Sequence, residues 1–177
     1  YQRVTTSTLT SVACSKTTNK ILVTVNNLDA GAIAGTQTIC SGYDPVAFSS
    51  STLGTGDGAI TYRWELNTNL TTPSWSTIGG ATSSTYDAGV LTADAQYRRI
   101  TISTLNTIPC EAISNVLTVT VNNLNAGVIA GSQTICSGSD PAAFSSSTLG
   151  TGDGTITYRW ELNTNMTIPS WSTIGGA

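Results

Sequence analysis

Residues 60–66 read Ile-Thr-Tyr-Arg-Trp-Glu-Leu. Ile60, Tyr62, Trp64 and Leu66 alternate with Thr61, Arg63 and Glu65, the period-two pattern of a strand with one apolar face. The same grammar runs outward from it. Upstream, Val46 and Phe48 follow a turn at 41–45, and residues 53–58 (Leu-Gly-Thr-Gly-Asp-Gly) read as a flexible inter-strand loop. Downstream, residues 73–78 read as a short edge strand closed by Gly79-Gly80, and Thr85-Tyr86 opens another. Residues 96–103 form a strand with Ile100 and Ile102 on one face. Leu117, Val119 and Val121 then alternate with threonines. No window carries a helical period. Short strands separated by turn residues predict an antiparallel β-sandwich.

The pattern recurs. Residues 28–81 return as 124–177, and 46 of those 54 aligned positions are identical, so the offset of 96 is a true repeat. Residues 1–27 align in the same way with 97–123, which puts Cys14 on Cys110. The chain therefore divides into 1–27, the C-terminal part of one repeat; 28–123, a complete repeat; and 124–177, the N-terminal part of the next. A period this long means whole domains in series. The two partial repeats are complementary except for the counterpart of residues 82–96. Two explanations fit: a window on a longer array, or subunits that complete one another head to tail.

Composition narrows the function. Only 10% of residues are charged, and the net charge is −3 with no basic run, which argues against a nucleic-acid partner. No apolar stretch is long enough to span a membrane in this segment. There is no histidine, so zinc sites and histidine-based catalysis are not expected. The four cysteines, Cys14, Cys40, Cys110 and Cys136, occupy two positions of the repeat and lack C-x-x-C spacing. Paired cysteines in a polar, repetitive chain point to an oxidising, extracellular setting. A Cys40–Cys110 disulfide within the complete repeat is the preferred pairing. It would close a loop of about 70 residues and contribute roughly 4 kcal/mol. The alternative joins Cys14 to Cys40 and Cys110 to Cys136, stapling successive repeats.

The order Tyr62-Arg-Trp64, Ala95-Gln-Tyr97, then a terminal Val119-Thr-Val121 resembles an immunoglobulin-like domain. The longer pattern ICSG…DP…TYRWE…SW…QYRR…C…SN…TVTVNN is similar to the tandem Ig-like repeats of large secreted surface proteins of Bacteroidota. These include gliding-associated adhesins. The resemblance covers the whole chain and implies secretion by the type 9 route, surface display and adhesion. It departs at one position: the immunoglobulin cysteine two residues after the penultimate-strand tyrosine is here Arg99, and its partner position near Phe48 is not cysteine.

Trp64 and Trp160 read as core. Trp75 and Trp171 sit in Pro-Ser-Trp-Ser and are candidate glycan contacts, against the plainer reading that they cover a sheet edge. Asp57 with Asp29, Asp44, Asp87 or Asp94 offers too sparse an acidic pattern for calcium, so no metal or other cofactor is expected. Asn69-Leu-Thr71 and Asn165-Met-Thr167 match the N-glycosylation acceptor pattern. Arg98 and Arg99 are expected to face solvent, with Glu65 or Glu111 as cross-strand partners. No catalytic residue is expected.

The reading is thus a structural and adhesive segment at the cell surface, a rigid spacer whose partners are adjacent repeats or neighbouring chains, and surface glycans. Pairing between residues 33–39 and 117–121 is expected to bear the load. The alternatives are a carbohydrate-binding accessory module of a secreted enzyme and a self-assembling filament subunit.

Overall fold

The computed structural model describes residues 1–175; residues 176–177, the end of the third segment, lie outside the described residues. Every described regular element is a strand. The first segment is a hairpin, β1 (Val4–Leu9) and β2 (Val12–Thr17). The complete repeat holds β3 (Leu28–Asp29), β4 (Ala32–Ala34), β5 (Gln37–Cys40), β6 (Ser49–Thr52), β7 (Thr55–Gly56), β8 (Ala59–Asn67), β9 (Ser76–Thr77), β10 (Ala95–Leu105) and β11 (Ile108–Asn122). The third segment holds β12 (Leu124–Asn125), β13 (Val128–Ala130), β14 (Ser145–Thr148), β15 (Thr151–Gly152), β16 (Glu161–Asn163) and β17 (Trp171–Thr173).

In the complete repeat one layer is a five-stranded sheet of order β5-β11-β10-β8-β9. The ribbons β3–β7 and β4–β6 lie against it. The apolar face of residues 60–66 turns to the core as expected, and Trp64 is completely buried. Ile33, Phe48, Tyr97, Leu117 and Val119 close around it. Phe48 stands at the centre of the aromatic group, 6.0 Å from Trp64 and 4.8 Å from Tyr97 between ring centroids. The indole nitrogen donates to the Ser83 carbonyl at 2.9 Å, so the ring is buried without an orphaned donor. Burial of its phenol pushes the Tyr97 hydroxyl up to about 12, which keeps it neutral in the core.

Three features differ from the sequence expectation. First, the leading strand divides between the layers. β4 pairs antiparallel with β6, whereas β5 pairs parallel with the end of β11, Gln37 to Cys40 against Val119 to Asn122. The chain crosses at Gly35, whose φ is +131° and where a Cβ would meet the Phe48 ring at 2.9 Å. The anticipated pairing of the first and last strands is present, but through residues 37–40 alone.

Second, residues 104–116 are sheet rather than connection. β10 and β11 form one long hairpin through Asn106-Thr107, both at positive φ (48° and 67°). Two such residues in a two-residue loop make the mirror-image turn that matches strand twist. That turn usually announces itself with Asn-Gly, and Asn-Thr hides it.

Third, β10 buries a polar face. Tyr97, Arg99, Thr101 and Ser103 are all nearly or fully inaccessible, and they form the face opposite the apolar one expected from Ile100 and Ile102. The segment 53–58 explains this. Gly54 lies over Thr101, Gly56 over Ser103 and Gly58 over Thr104, each so close that a Cβ would collide. Glycine at every second position lets the backbone settle onto the sheet. The stretch is a packed contact, in place of the flexible loop expected.

Candidate functional site: the seam between repeats

The chain leaves one repeat at Asn26-Asn27 and Asn122-Asn123, and both exits are tied down in the same way. The Asn27 backbone N–H and side-chain amide both donate to Asp57 Oδ2, at 2.9 and 2.8 Å, and Asp57 N–H returns a bond to the Asn27 carbonyl at 3.1 Å. One repeat later Asn123 and Asp153 make the same three bonds at 2.8, 3.0 and 3.1 Å. The seam is built from local sequence and recurs with it. Asn26 adds a longer reach: its amide donates to the Ser103 carbonyl at 2.8 Å, and Ser103 Oγ donates to Asn26 Oδ1 at 2.8 Å. At the other end of the complete repeat, Ser41 N–H donates to the Asn122 carbonyl at 3.1 Å, and Ser41 shares a small cleft with Asn123, Asn125, Thr151 and Asp153. The turn after β5 therefore borders the following repeat across that cleft.

The paired donors hold Asp57 and Asp153 below the ordinary aspartate range, the backbone bond from the asparagine contributing most. A carboxyl whose value is depressed on docking supports the docked state above its free value, and that support is lost as pH falls through the depressed value. Carbon-detected NMR titration is expected to show both carboxyls ionising below the ordinary aspartate range, with the Asn27 and Asn123 amide shifts moving at the same midpoints. Ordinary midpoints would mean that these bonds do not persist in solution.

On the outer face of the sheet, Arg98 bonds Glu65 at 2.7 Å and covers the Trp75 ring at 4.2 Å. Arg63 joins Glu65 at 3.3 Å and pairs bidentately with Glu111. The expected partnership of Arg98 with Glu65 is thus present. Trp75 is half-buried, with the guanidinium on one ring face, whereas Trp171 is exposed and no counterpart of Arg98 lies in residues 124–177. A sugar stacking on Trp75 has only the other ring face.

Arg99 corrects its expectation. It is fully buried and crosses to the other layer, bonding Ser50 Oγ and the carbonyls of Ala30 (3.2 Å), Thr52 (3.3 Å) and Ser84 (3.1 Å). Its guanidinium stands 4.6 Å over the Tyr62 ring, and Nε alone has no partner. Burial pulls its affinity for the proton down, with the Tyr62 hydroxyl opposing. Among the described residues no carboxylate pairs with it. It sits where the resemblance places an inter-sheet cysteine, and it ties the same two layers by hydrogen bonds.

The Cys40–Cys110 pairing is also corrected. All four cysteines carry free thiols. Cys40 is opposite Asn122 and Cys110 is opposite Ser103, at the two ends of β11. Twelve residues of strand separate those positions, on the order of 40 Å at ~3.3 Å per residue. A disulfide needs Cα atoms within about 7 Å.

Three of the aspartates weighed for calcium accept backbone hydrogen bonds. Asp57 belongs to the seam, Asp94 accepts from Val121 N–H at 2.7 Å, and Asp29 accepts from Gly31 N–H at 2.7 Å. Among the described residues, no three His, Cys, Asp or Glu side chains gather as a metal site. Asn69 Oδ1 accepts from the backbones of Thr71 and Thr72, and Asn165 repeats this with Thr167 and Ile168, so both acceptor motifs lie in Asn-stabilised turns. Among the described residues no helix is long and apolar enough to cross a membrane.

Residues 29–123 match the family described as Domain of unknown function (DUF8696), and they make up more than half of the chain. The chain belongs to this family. No curated protein and no solved structure matches it. The matched span of the DUF8696 domain holds β4 to β11 and the whole aromatic core, beginning within β3.

Proposed function

We propose that the chain is a stretch of serially docked immunoglobulin-like sandwiches acting as a rigid spacer and adhesive stalk of a secreted surface protein. One observation carries this reading: the seam recurs at Asn27–Asp57 and Asn123–Asp153 with the same three hydrogen bonds. A flexible linker would leave those groups to water. A fixed seam sets one domain against the next by a constant step, which makes length without slack. The two-layered core with Trp64 at its centre supports the sandwich, and Arg99 in place of the inter-sheet cysteine is its variation. Extracellular display rests on the resemblance and on the sparse charge.

Mechanical load entering at Asn27 and leaving at Asn122 passes through the β5–β11 pairing. Those strands are parallel, so pulling shears four residue pairs together rather than unzipping them one by one. Force spectroscopy on the 177-residue chain is expected to give one unfolding peak for the complete repeat. Its contour-length gain should be about 30 nm, from 96 residues at roughly 3.5 Å each less the folded length. Chains carrying further copies of residues 28–123 should add peaks at that spacing. Extension without a resolved peak would sink the mechanical reading.

A second reading, self-assembly, draws on the partial repeats. Ile21, Val23 and Val25 are exposed, whereas their counterparts Leu117, Val119 and Val121 are buried. Phe144 and Trp171 are exposed in the third segment. One copy's first segment and another's third together carry the counterparts of these core residues. Sedimentation of the isolated chain would show concentration-dependent polymers on this reading, and a monomer at all concentrations would exclude it.

A further inference from the structure

The two cysteines of a repeat sit beside opposite ends of β11, each next to a different seam, which suggests where each finds a partner. Cys40 lies opposite Asn122, and Asn122 is the counterpart, 96 residues on, of Asn26. Asn26 makes two hydrogen bonds to Ser103 of the repeat it precedes, and Ser103 lies opposite Cys110. Residues directly opposite on neighbouring strands share a face and stand about 5 Å apart. Cys40 therefore shares a face with the asparagine that enters the seam, and Cys110 shares a face with the serine that receives it. Superimposing one seam on the other brings Cys40 of one repeat and Cys110 of the next to the same Asn–Ser contact.

Resting on the serial-docking reading, we propose that successive repeats are clamped covalently by a disulfide from Cys40 of one to the Cys110 position of the next. Three further observations agree. Cys40 is exposed and Cys110 is half-buried, so both thiols are accessible. Ser41, next to Cys40, already shares the seam cleft with Thr151 and Asp153 of the following repeat. The partner of each of the four cysteines would also fall outside residues 1–177, in keeping with four free thiols within them. Each repeat then offers one cysteine to each neighbour, and the cross-links run from seam to seam along the array.

The bond forms by two exchanges with a low-molecular-weight disulfide such as oxidised glutathione. The Cys40 thiolate attacks one sulfur of the oxidant and expels the first thiolate. The incoming cysteine's thiolate then attacks the Cys40 sulfur and expels the second. The protein loses two electrons and two protons, and the oxidant leaves as two thiols.

The test extends the full chain by a second copy of residues 82–123, which completes the third repeat and supplies a second Cys110. After oxidation by oxidised glutathione, alkylation and non-reducing peptide mapping should show two of the five thiols protected and one linked peptide pair, Cys40 with the added Cys110. Cys40→Ser should leave all of the remaining thiols reactive. A link from Cys136 to the added Cys110, or five reactive thiols, would overturn the clamp. Amide exchange at Asn123 and Asp153 is read on the same sample. Protected seam amides with five free thiols would reject the clamp and leave serial docking standing. Unprotected amides with no link would reject both. The 177-residue chain, treated alike, is expected to keep four reactive thiols when dilute.

Discussion

Replacing Arg99 with alanine should lower the stability of the complete repeat by about 3–5 kcal/mol, from lost charge-assisted hydrogen bonds at roughly 1.5–3 kcal/mol each and the cavity left behind. For a domain of this size that is roughly 12–40 °C in Tm. The guanidinium bonds Ser50, Ala30, Thr52 and Ser84, all belonging to segments packed over β10. Truncation removes the guanidinium donor from Thr52 and Ser50, leaves the Ala30 and Ser84 carbonyls with only Thr101 Oγ1 and Ser50 Oγ, and opens a cavity between the layers. Arg99→Lys keeps the charge, but an ammonium has three donors and no planar fork to span four acceptors, so it should recover less than half of the loss. Arg99→Met fills the volume and still lacks the guanidinium donors, so it should fall between alanine and the native chain. Urea unfolding followed by circular dichroism ranks the three. If Arg99→Met matched or exceeded the native stability, the inter-layer tie would carry no net weight.

The sequence made β8 legible because its polarity alternates with no exception over seven residues, and Trp64 falls on the apolar phase. It hid the inner face of β10 because burial there is achieved by hydrogen bonds. Thr101 donates to the Ala30 carbonyl at 2.7 Å and Ser103 to Asn26 at 2.8 Å, so a polar row is satisfied inside the protein. One signal was available: glycine at 54, 56 and 58 has the same period of two as the strand it covers. The hairpin at Asn106-Thr107 was masked by a β-branched residue at positive φ, where glycine is the usual marker. The cysteines could be placed only by register, since nothing in their spacing reveals that β11 runs unbroken from Cys110 to Asn122. The seam partners Asn27 and Asp57 lie 30 residues apart and look like ordinary turn residues until the fold brings them together.

Trp64→Ala is expected to cost a further 3–5 kcal/mol, through lost burial and the cavity left in the aromatic group. Its neighbours are fixed from several directions: Phe48 and Tyr86 lie 6.0 and 5.6 Å away between centroids, and the Phe48 and Tyr86 backbones bond each other. The site therefore has little freedom to collapse, which favours the upper part of that range. Trp160→Ala is the informative control, because Trp160 occupies the same sequence position one repeat later. It packs on Phe144 at 5.9 Å, but no counterpart of β10 or the β11 strand lies in residues 124–177 to close the core over it. Its removal should leave the main unfolding transition within about 0.5 kcal/mol of native, the usual range away from packed features. Calorimetry on both variants distinguishes the cases. Equal losses from the two substitutions would mean that the third segment reaches a closed core, by docking with the first segment of another copy. Loss from Trp64→Ala alone would mean that the cooperative unit is the complete repeat. A docked unit would make the Trp160→Ala transition depend on concentration, and the complete repeat's would not.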